Sequence, residues 1–387
     1  MISRYFDPFD QLENSSLFIL GPRSTGKSSM AKKFCRKHRD KIDYINLSGS
    51  RIYLRLKSDP FLLSSLVDKD LIAIDEIQRI PELLNEVHRM IEDKNKRFLL
   101  IGNYNQKLKW KKIDLLDNHS TTAELFPLTW FELSKNNRFD LDKYLHFGGL
   151  PGAYLEENGD DYLYNYIDIY LREEIYAEGL VSNLPHFIRF LEYAACDSTQ
   201  AVDYNGIAEK SLLSSKEVKN YYKVLKETFM GFEVLPWVGL QKKKTNMPPK
   251  FYFFDLGIVR TLQANHRAES ENSFLEPSFN QFIACELRSY LSYKKIPLFL
   301  QYWKSKLQRN VDFIVGDEMA IVVKTDEEID ESHHRELLEI QQKNQWKYLF
   351  VISNDFKEVQ FKNGIGHLHW QNFLDLLWKD SFFAINK

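Results

Sequence analysis

The chain contains 387 residues, of which 44% are hydrophobic and 27% are charged, and its formal net charge is −2. This composition is typical of a folded globular protein with room for two or three domains, each with its own core. The near-neutral charge excludes a uniformly basic coat for nucleic acid, so any phosphate-binding surface must be a local patch.

The cysteines and the apolar runs indicate the cellular compartment in which the protein is expected to work. The three cysteines, Cys35, Cys196 and Cys285, are far apart and show no C-x-x-C spacing, so neither a disulfide framework nor a cysteine zinc site is predicted. Residues 1–10 contain no apolar core of signal-peptide length, and no apolar run is long enough to span a bilayer. We therefore expect reduced thiols and a soluble cytoplasmic protein without a membrane partner.

The first motif with chemical meaning lies at residues 21–29, which read GPRSTGKSS. Its first eight residues fit the phosphate-binding pattern G-x-x-x-x-G-K-[ST]. The apolar run at 17–20 predicts a buried strand before the loop, and residues 28–38 predict a helix after it, which is the required order. A Gly-rich turn that arose by chance is the alternative.

In such a loop, backbone N–H groups and the positive end of the helix face the phosphates of a nucleotide. We expect Lys27 to reach the β- and γ-phosphate oxygens and the Ser28 hydroxyl to ligate Mg²⁺. The predicted nucleotide-binding residues are Gly21, Pro22, Arg23, Ser24, Thr25, Gly26, Lys27, Ser28 and Ser29.

Two further apolar runs end in polar residues that would meet the same ligand. Residues 71–76 read LIAIDE, as expected of a buried parallel strand whose carboxyl end faces the nucleotide. We expect Asp75 to hold Mg²⁺ through water and Glu76 to orient or deprotonate the attacking water; a solvated strand end is the alternative. Residues 97–101 predict the next strand, after which Asn103 is either a catalytic sensor of the γ-phosphate and lytic water or a simple turn residue.

Five segments together resemble the predicted ATPases of the AAA+ superfamily that join an N-terminal AAA-type ATPase domain to a C-terminal region of uncharacterised function. The segments are GPRSTGKSS, LIAIDEIQRIP, LLIGN, ELFPLTWFEL and FGGLPGAYLEE. The resemblance covers nearly the whole chain and implies an ASCE-type P-loop core, a winged-helix segment and a domain similar to the PD-(D/E)XK nucleases. No guanine-selecting N-K-x-D segment is present, which favours adenine.

These observations predict an α/β fold in three parts. A P-loop (ASCE/AAA-type) parallel-sheet domain is expected at residues 1–150, because the strongest turn cluster of the chain lies at 147–152. Residues 151–262 are expected to form connecting helices and a winged-helix domain. Residues 263–387 are expected to form an α/β restriction-nuclease-like domain, which we predict to be inactive.

The winged helix is predicted from the order of local signals. Residues 206–210 suit a short helix, Ser214 and Glu217 form a capping-box pattern before a second helix, and residues 232–238 and 250–254 read as two strands. Its candidate phosphate-contacting residues are Lys216, Lys219 and Lys223 on the helix and Lys242, Lys243 and Lys244 in the turn. The segment could bind DNA or serve as an interdomain adaptor, and the lack of arginine on the helix makes base reading the weaker signal. The basic run at 107–112 is more simply a solvated helix face.

The C-terminal region retains half of a nuclease constellation. A helix is predicted at 279–292 and strands at 298–303, 311–315 and 320–324. Asp312 and Lys324 match the aspartate and lysine of the resembled nucleases, whereas Val322 and Asn280 stand where carboxylates are expected. The candidate substitute acids are Glu276, Glu286 and Asp326, for which spacing gives no support. The histidine pairs at 333–334 and 367/369 show no metal-ligand spacing.

Three functions are compatible with this pattern. The leading hypothesis is a switch or motor that hydrolyses ATP with Mg²⁺ and couples nucleotide state to the later regions. The runner-up is an ATP-controlled DNA or RNA nuclease, and the third is an ATP-gated scaffold that recruits nucleic acid or protein and hydrolyses slowly. The resembled ATPases carry an arginine after the sensor strand, but residues 117–122 contain none. We therefore expect slow turnover unless Arg138, Lys112 or a partner supplies the charge.

Overall fold

The computed structural model describes the chain apart from a few short stretches. The residues outside the description are 1, 8, 13, 104–118, 240–246, 265–271, 306, 308, 327, 358, 361–362 and 384–387. The basic run at 107–112 and the lysine-rich turn at 242–244 therefore lie outside the described residues.

The N-terminal region folds as alternating strands and helices. Its elements are α1 Phe9–Leu12, β1 Ser16–Leu20, α2 Lys27–Lys37, β2 Ile42–Asn46, α3 Ser50–Ser58, α4 Leu63–Leu66, β3 Leu71–Asp75, α5 Leu83–Lys94, β4 Arg97–Ile101 and β5 Ser120–Glu124. In the described part of the chain, these strands form one five-stranded sheet in the order β2-β3-β4-β1-β5. Every neighbouring pair in that sheet is parallel.

Both faces of the sheet are buried. Successive side chains of a strand point to opposite sides of a sheet, so each strand contributes to two apolar layers. All five residues of β1 are buried. Phe18 and Leu20 pack into one apolar layer, with α5 and α3, whereas Leu17 and Ile19 pack into the other, with α2. The predicted strands at 17–20, 71–75 and 97–101 and the predicted helix at 28–38 are confirmed to within one residue. Because the strands are parallel, the carboxyl ends of β1, β3 and β4 lie at one edge of the sheet, and the predicted site residues follow directly after them.

The middle region is mostly helical. Its elements are α6 Trp130–Ser134, α7 Leu141–Phe147, α8 Pro151–Leu155, α9 Gly159–Ile169, α10 Leu184–Cys196, α11 Tyr204–Ser211, α12 Ser215–Glu227, β6 Gly231–Pro236, β7 Lys250–Phe253 and α13 Leu256–Gln263. Directly after α9, residues Tyr170–Tyr176 form a π-helical turn. The capping box of Ser214 and Glu217 is present at the start of α12. The predicted helix, helix and hairpin thus occur in order, while their assignment as a winged helix remains a prediction.

The C-terminal region surrounds a second sheet. Its elements are α14 Asn272–Tyr293, β8 Leu300–Lys304, β9 Asn310–Val315, β10 Met319–Val323, α15 Arg335–Gln341, β11 Tyr348–Ser353, β12 Val359–Gln360, β13 Gly366–His369 and α16 Trp370–Trp378. Among the described residues the sheet has eight strands in the order β12-β13-β11-β10-β9-β8-β6-β7. The β6–β7 hairpin therefore joins this sheet, because Leu235 and Pro236 pair in parallel with Gln301 and Tyr302 of β8.

The regions share apolar cores that do not follow the order of the sequence. Trp130 and Tyr144, from α6 and α7, pack in one buried cluster with Phe282 of α14 and Trp378 of α16. A second cluster joins α9, α10, α11, α12, β7 and α13. No helix in the described ranges is long and apolar enough to cross a membrane.

Candidate nucleotide-binding site

The loop between β1 and α2 turns sharply over the carboxyl edge of the first sheet. Gly21 and Gly26 have φ values of 137° and 94°, and Ser24 also has a positive φ of 64°. A Cβ on Gly21 would lie 2.5 Å from the carbonyl oxygen of Leu125, so only glycine fits there. Because α2 begins at Lys27, its first N–H groups, which have no acceptor within the helix, lie next to this loop. This is the geometry that an anion-binding loop requires.

Lys27 is folded against the backbone of its own loop. Its Nζ donates hydrogen bonds to the carbonyl oxygens of Gly21, at 2.9 Å, and Pro22, at 2.6 Å. The side chain is buried, and that burial lowers the pKa of Lys27 to about 8, against the opposing effect of carboxylates led by Glu174. Thr25 Oγ1 donates to the same Pro22 oxygen at 3.0 Å, whereas Ser29 is exposed on the first turn of α2. Lys27 therefore lies against carbonyl oxygens of its own loop, and among the described residues it forms no ion pair with a carboxylate.

Ser28 and Asp75 meet at the centre of the sheet edge. Ser28 Oγ donates to Asp75 Oδ1 at 2.9 Å, and the Tyr44 hydroxyl donates to Asp75 Oδ2 at 2.7 Å. Asp75 is buried. The pKa of Tyr44 is raised by the burial of the Tyr44 hydroxyl and by its hydrogen bond to Asp75. A hydroxyl and a carboxylate side by side are hard oxygen donors, so this pair fits Mg²⁺. Tyr44 was not predicted, because its approach to Asp75 depends on the parallel pairing of β2 with β3.

Glu76 follows β3 in a left-handed backbone conformation with φ of 63°. Its carboxylate accepts a hydrogen bond from Gln78 Nε2 at 2.5 Å, while the Gln78 Oε1 atom is buried and has no hydrogen-bond partner among the described residues. A Cβ on Gly102 would lie 2.4 Å from that oxygen, so the glycine leaves room for the Gln78 amide. Gln78 lies within the segment LIAIDEIQRIP but was not predicted, because its contact with Glu76 depends on the turn that follows β3.

Asn103 lies in a cleft of about 440 Å³ at the same edge of the sheet. Its Nδ2 donates to Glu174 Oε1 at 3.4 Å, and Arg23 Nη1 lies 2.5 Å from Glu173 Oε2. The cleft is lined by Arg23, Ser48, Glu76, Gln78, Arg79, Asn103, Glu173, Glu174, Glu178, Leu180, Glu227 and Thr228. Its volume is in the range of small-molecule sites. Neither Glu173 nor Glu174 was predicted from the sequence; the available signal was a pair of adjacent acids between the aromatic residues Tyr170 and Tyr176.

The residues that the sequence predicts for a degenerate nuclease site lie on the second sheet, beside it on α14, or directly after β10. Asp312 Oδ1 accepts from Asn310 Nδ2 at 2.7 Å, and Asp312 Oδ2 accepts from the Val323 N–H at 2.9 Å. Val322 is buried, and Asn280 Oδ1 accepts from the Tyr252 hydroxyl at 3.0 Å. Lys324 follows β10, and its backbone N–H donates to the Ile352 oxygen at 2.9 Å. Asp312 is thus occupied by protein donors.

The candidate substitute acids and the histidines have structural surroundings. Both carboxylate oxygens of Glu286 are used, by the Trp130 N–H at 2.6 Å and by Trp378 Nε1 at 3.0 Å. Burial raises the pKa of Glu286 to about 8. His367 is buried and its ring nitrogens contact Ser353 Oγ and the Lys357 carbonyl oxygen, as expected of a satisfied core histidine. Glu276 is exposed at the surface of α14.

Comparisons with known proteins agree with the sheet and the loop. Residues 13–134 match a family model described as an AAA domain. The regions that follow match two models of domains of unknown function, DUF8612 at residues 138–269 and DUF4143 at residues 276–373. A comparison with curated proteins found no significant match. The N-terminal part of the chain is therefore a P-loop domain of the AAA type, as the resemblance implied.

Solved structures with partial similarity come from several organisms. The Thermotoga maritima RuvB Holliday junction branch migration motor is 16% identical, with 57% of this chain and 82% of that chain covered and a TM-score of 0.30. Caenorhabditis elegans PCH-2 is 15% identical, with 58% and 64% covered and a TM-score of 0.25. The Drosophila ORC structure bound to AT-rich DNA and Cdc6 contains a chain that is 10% identical, with 66% and 88% covered and a TM-score of 0.22. These low scores add no argument, and the identification of the domain rests on the family model.

Proposed function

We propose that this protein binds ATP with Mg²⁺ at the loop of residues 21–29, hydrolyses it, and acts as a switch or motor whose nucleotide state is passed to the middle and C-terminal regions. The AAA-type domain makes ATPase activity the expected chemistry. The observation that carries the proposal is the 2.9 Å hydrogen bond from Ser28 Oγ to Asp75 Oδ1 beside the Lys27 loop. It brings the two predicted metal-binding residues together from opposite ends of 47 residues of chain.

The side chains at the sheet edge divide the work. Lys27 and the loop N–H groups bind the phosphates, and Ser28 and Asp75 would hold the metal, which neutralises phosphate charge when bound. Glu76 orients or deprotonates the attacking water, and the Gln78 amide fixes the Glu76 carboxylate for that task. Asn103 is placed in the cleft to contact the terminal phosphate or the water. The buried position of Lys27 keeps bulk water from competing for its charge.

The later regions are proposed to respond to nucleotide rather than to cut nucleic acid. The occupied state of Asp312 and the burial of Val322 support an inactive nuclease-like domain. On α12, Lys216, Lys219 and Lys223 are exposed, which is compatible with phosphate contact by the proposed winged helix. Lys223 lies 3.8 Å from Glu227, so part of this charge is compensated. A protein partner or backbone phosphate is therefore a better candidate than a specific DNA sequence.

The test separates binding from hydrolysis in the full-length protein. Lys27→Ala removes the charge at the phosphates and is expected to abolish ATP binding, whereas Glu76→Gln is expected to retain ATP and lose hydrolysis. Lys32→Ala, an exposed lysine on α2, is the matched control. Calorimetry with ATP, ADP and GTP in the presence of Mg²⁺ measures affinity, and phosphate release measures turnover. Equal ATP affinity in the wild type and Lys27→Ala would contradict the site.

A further inference from the structure

The π-helical turn Tyr170–Tyr176, called the acidic turn below, brings two carboxylates from the middle region onto the phosphate loop. Glu173 Oε2 lies 2.5 Å from Arg23 Nη1, and Glu174 Oε1 lies 4.0 Å from the same nitrogen. Arg23 belongs to the loop itself, two residues after Gly21. π-helical turns are rare and frequently occur at functional sites. The contact joins residues 150 positions apart in the chain.

Glu174 is the more deeply placed of the two acids. Its side chain is 14% exposed, against 59% for Glu173. Burial raises the pKa of Glu174 to about 7; Arg23 and Lys27 oppose that shift, and Glu76 and Glu173 add to it. Its oxygen also accepts the hydrogen bond from Asn103 Nδ2. Glu174 therefore uses the amide that we assign to the terminal phosphate and lies in the field of the lysine that we assign to the β- and γ-phosphates.

A carboxylate at this position is incompatible with an unscreened terminal phosphate. Both groups are anions that compete for the Asn103 amide and for the positive charge of Lys27, inside a cleft where charge interactions exceed those in water. A nucleoside diphosphate places no third phosphate next to Asn103. The charge of Glu174 is therefore expected to lower the affinity for a nucleoside triphosphate more than the affinity for a diphosphate.

The acidic turn is anchored in the core of the middle region. Tyr170 and Ile175 are buried in the apolar cluster that includes α10, α11 and α12. The Tyr170 hydroxyl also shares a 2.8 Å hydrogen bond with Thr228 Oγ1 at the end of α12. Movement of Glu174 away from the cleft must therefore strain or shift the packing of this cluster, since buried side chains are close-packed.

We propose that Glu174 sets the preference between nucleoside triphosphate and diphosphate, and that arrival of the third phosphate expels the Glu174 carboxylate from Asn103 and shifts the acidic turn. This inference rests on the proposed ATP site and adds its regulation. Protonation of Glu174 would relieve the same conflict. The acidic turn is then the route by which the occupied P-loop domain reaches the middle region.

The experiment measures ATP and ADP affinity of the full-length wild type, Glu174→Gln and the exposed neighbour control Glu173→Gln by calorimetry at pH 8. Glu174→Gln is expected to bind ATP about tenfold tighter and ADP with little change, because one anion has left the cleft. Glu173→Gln is expected to change the ratio by less than about threefold, because exposed pairs contribute little. At pH 6, below the raised pKa of Glu174, the nucleotide preference of the wild type is expected to approach that of Glu174→Gln.

Hydrogen exchange of the wild type tests the movement without a substitution. Peptides covering 170–176 are expected to exchange faster with ATP than with ADP. An unchanged ATP to ADP ratio in Glu174→Gln, with binding still dependent on Lys27, would overturn the inference and leave the proposed ATP site intact. Nucleotide binding that is absent, or unaffected by Lys27→Ala, would overturn both.

Discussion

Lys250 Nζ lies 3.6 Å from Asp312 Oδ1, the aspartate that the sequence predicts for a degenerate nuclease site. Both side chains are largely buried, at 7% and 13% exposure. Burial lowers the pKa of Lys250, and the nearby Asp312 carboxylate opposes that shift. The aspartate thus has a structural partner in addition to the donors from Asn310 and Val323.

Asp312→Ala is expected to destabilise the C-terminal region by about 3–5 kcal/mol, because it leaves the Lys250 ammonium buried without a counter-charge. The double substitution of Lys250 and Asp312 by methionine and leucine is expected to restore most of the loss. Thermal unfolding measures both, with the exposed Asp326→Ala as control.

DNA and RNA incubated with Mg²⁺ or Mn²⁺, with and without ATP, are expected to remain intact. Cleavage that disappears in Asp312→Ala or Lys324→Ala would instead support the ATP-controlled nuclease.

Gln78→Ala is expected to lower kcat for ATP hydrolysis about tenfold or more and to leave KM nearly unchanged. The substitution frees the Glu76 carboxylate, which loses its 2.5 Å hydrogen bond, but removes no group that we assign to phosphate binding. Steady-state kinetics measure both constants, and Asn85→Ala, which removes an exposed amide from the neighbouring helix α5, is the matched control. A rise in KM with unchanged kcat would indicate that Gln78 contacts substrate instead.

Intrinsic turnover of the purified protein is expected to be slow. An arginine finger contributes about 10³–10⁵ in rate, and the segment that carries one in the resembled ATPases has none here. Within the described residues, Arg23 and Arg79 line the cleft, but Arg23 pairs with Glu173 and Arg79 Nη1 donates to the Leu47 oxygen at 2.6 Å. Fast hydrolysis that survives substitution of Arg138 and Lys112 would show that no such charge is missing.

Because Glu286 is buried, the free energy of unfolding is expected to fall as the pH rises from 5 to 8 and this side chain loses its proton. Its pKa is raised by burial from 4.5 to about 8, so its contribution is fully present below pH 4.5 and is lost as pH rises through 8. At about 1.4 kcal/mol per pKa unit, the change amounts to a few kcal/mol. Glu286→Gln, which mimics the protonated acid, should gain stability relative to the wild type between pH 5 and 8. Thermal midpoints of both proteins and of the exposed control Glu276→Gln check this, and parallel pH curves would contradict it.

Local sequence signals predicted the parts of the molecule whose geometry is local. The phosphate loop, the strands that end at Asp75 and Ile101, and the capping box at Ser214 all depend on residues within a few positions of one another. Contacts between distant segments of the chain cannot be predicted from such local signals. Glu173 approaches Arg23 across 150 residues of chain, and Glu286 meets Trp130 across 156. Such pairs depend on how helices dock, which periodicity does not encode.

The β6–β7 hairpin limits how the chain can be divided for experiments. It is the last described pair of strands before residue 262, yet β6 also pairs with β8 of the following region. A fragment that ends at 262 would leave the β6 edge unpaired, and one that begins at 263 would leave the β8 edge unpaired. Free strand edges template association between molecules. Separately expressed halves cut at this position are therefore expected to aggregate, even where each retains most of its own apolar core.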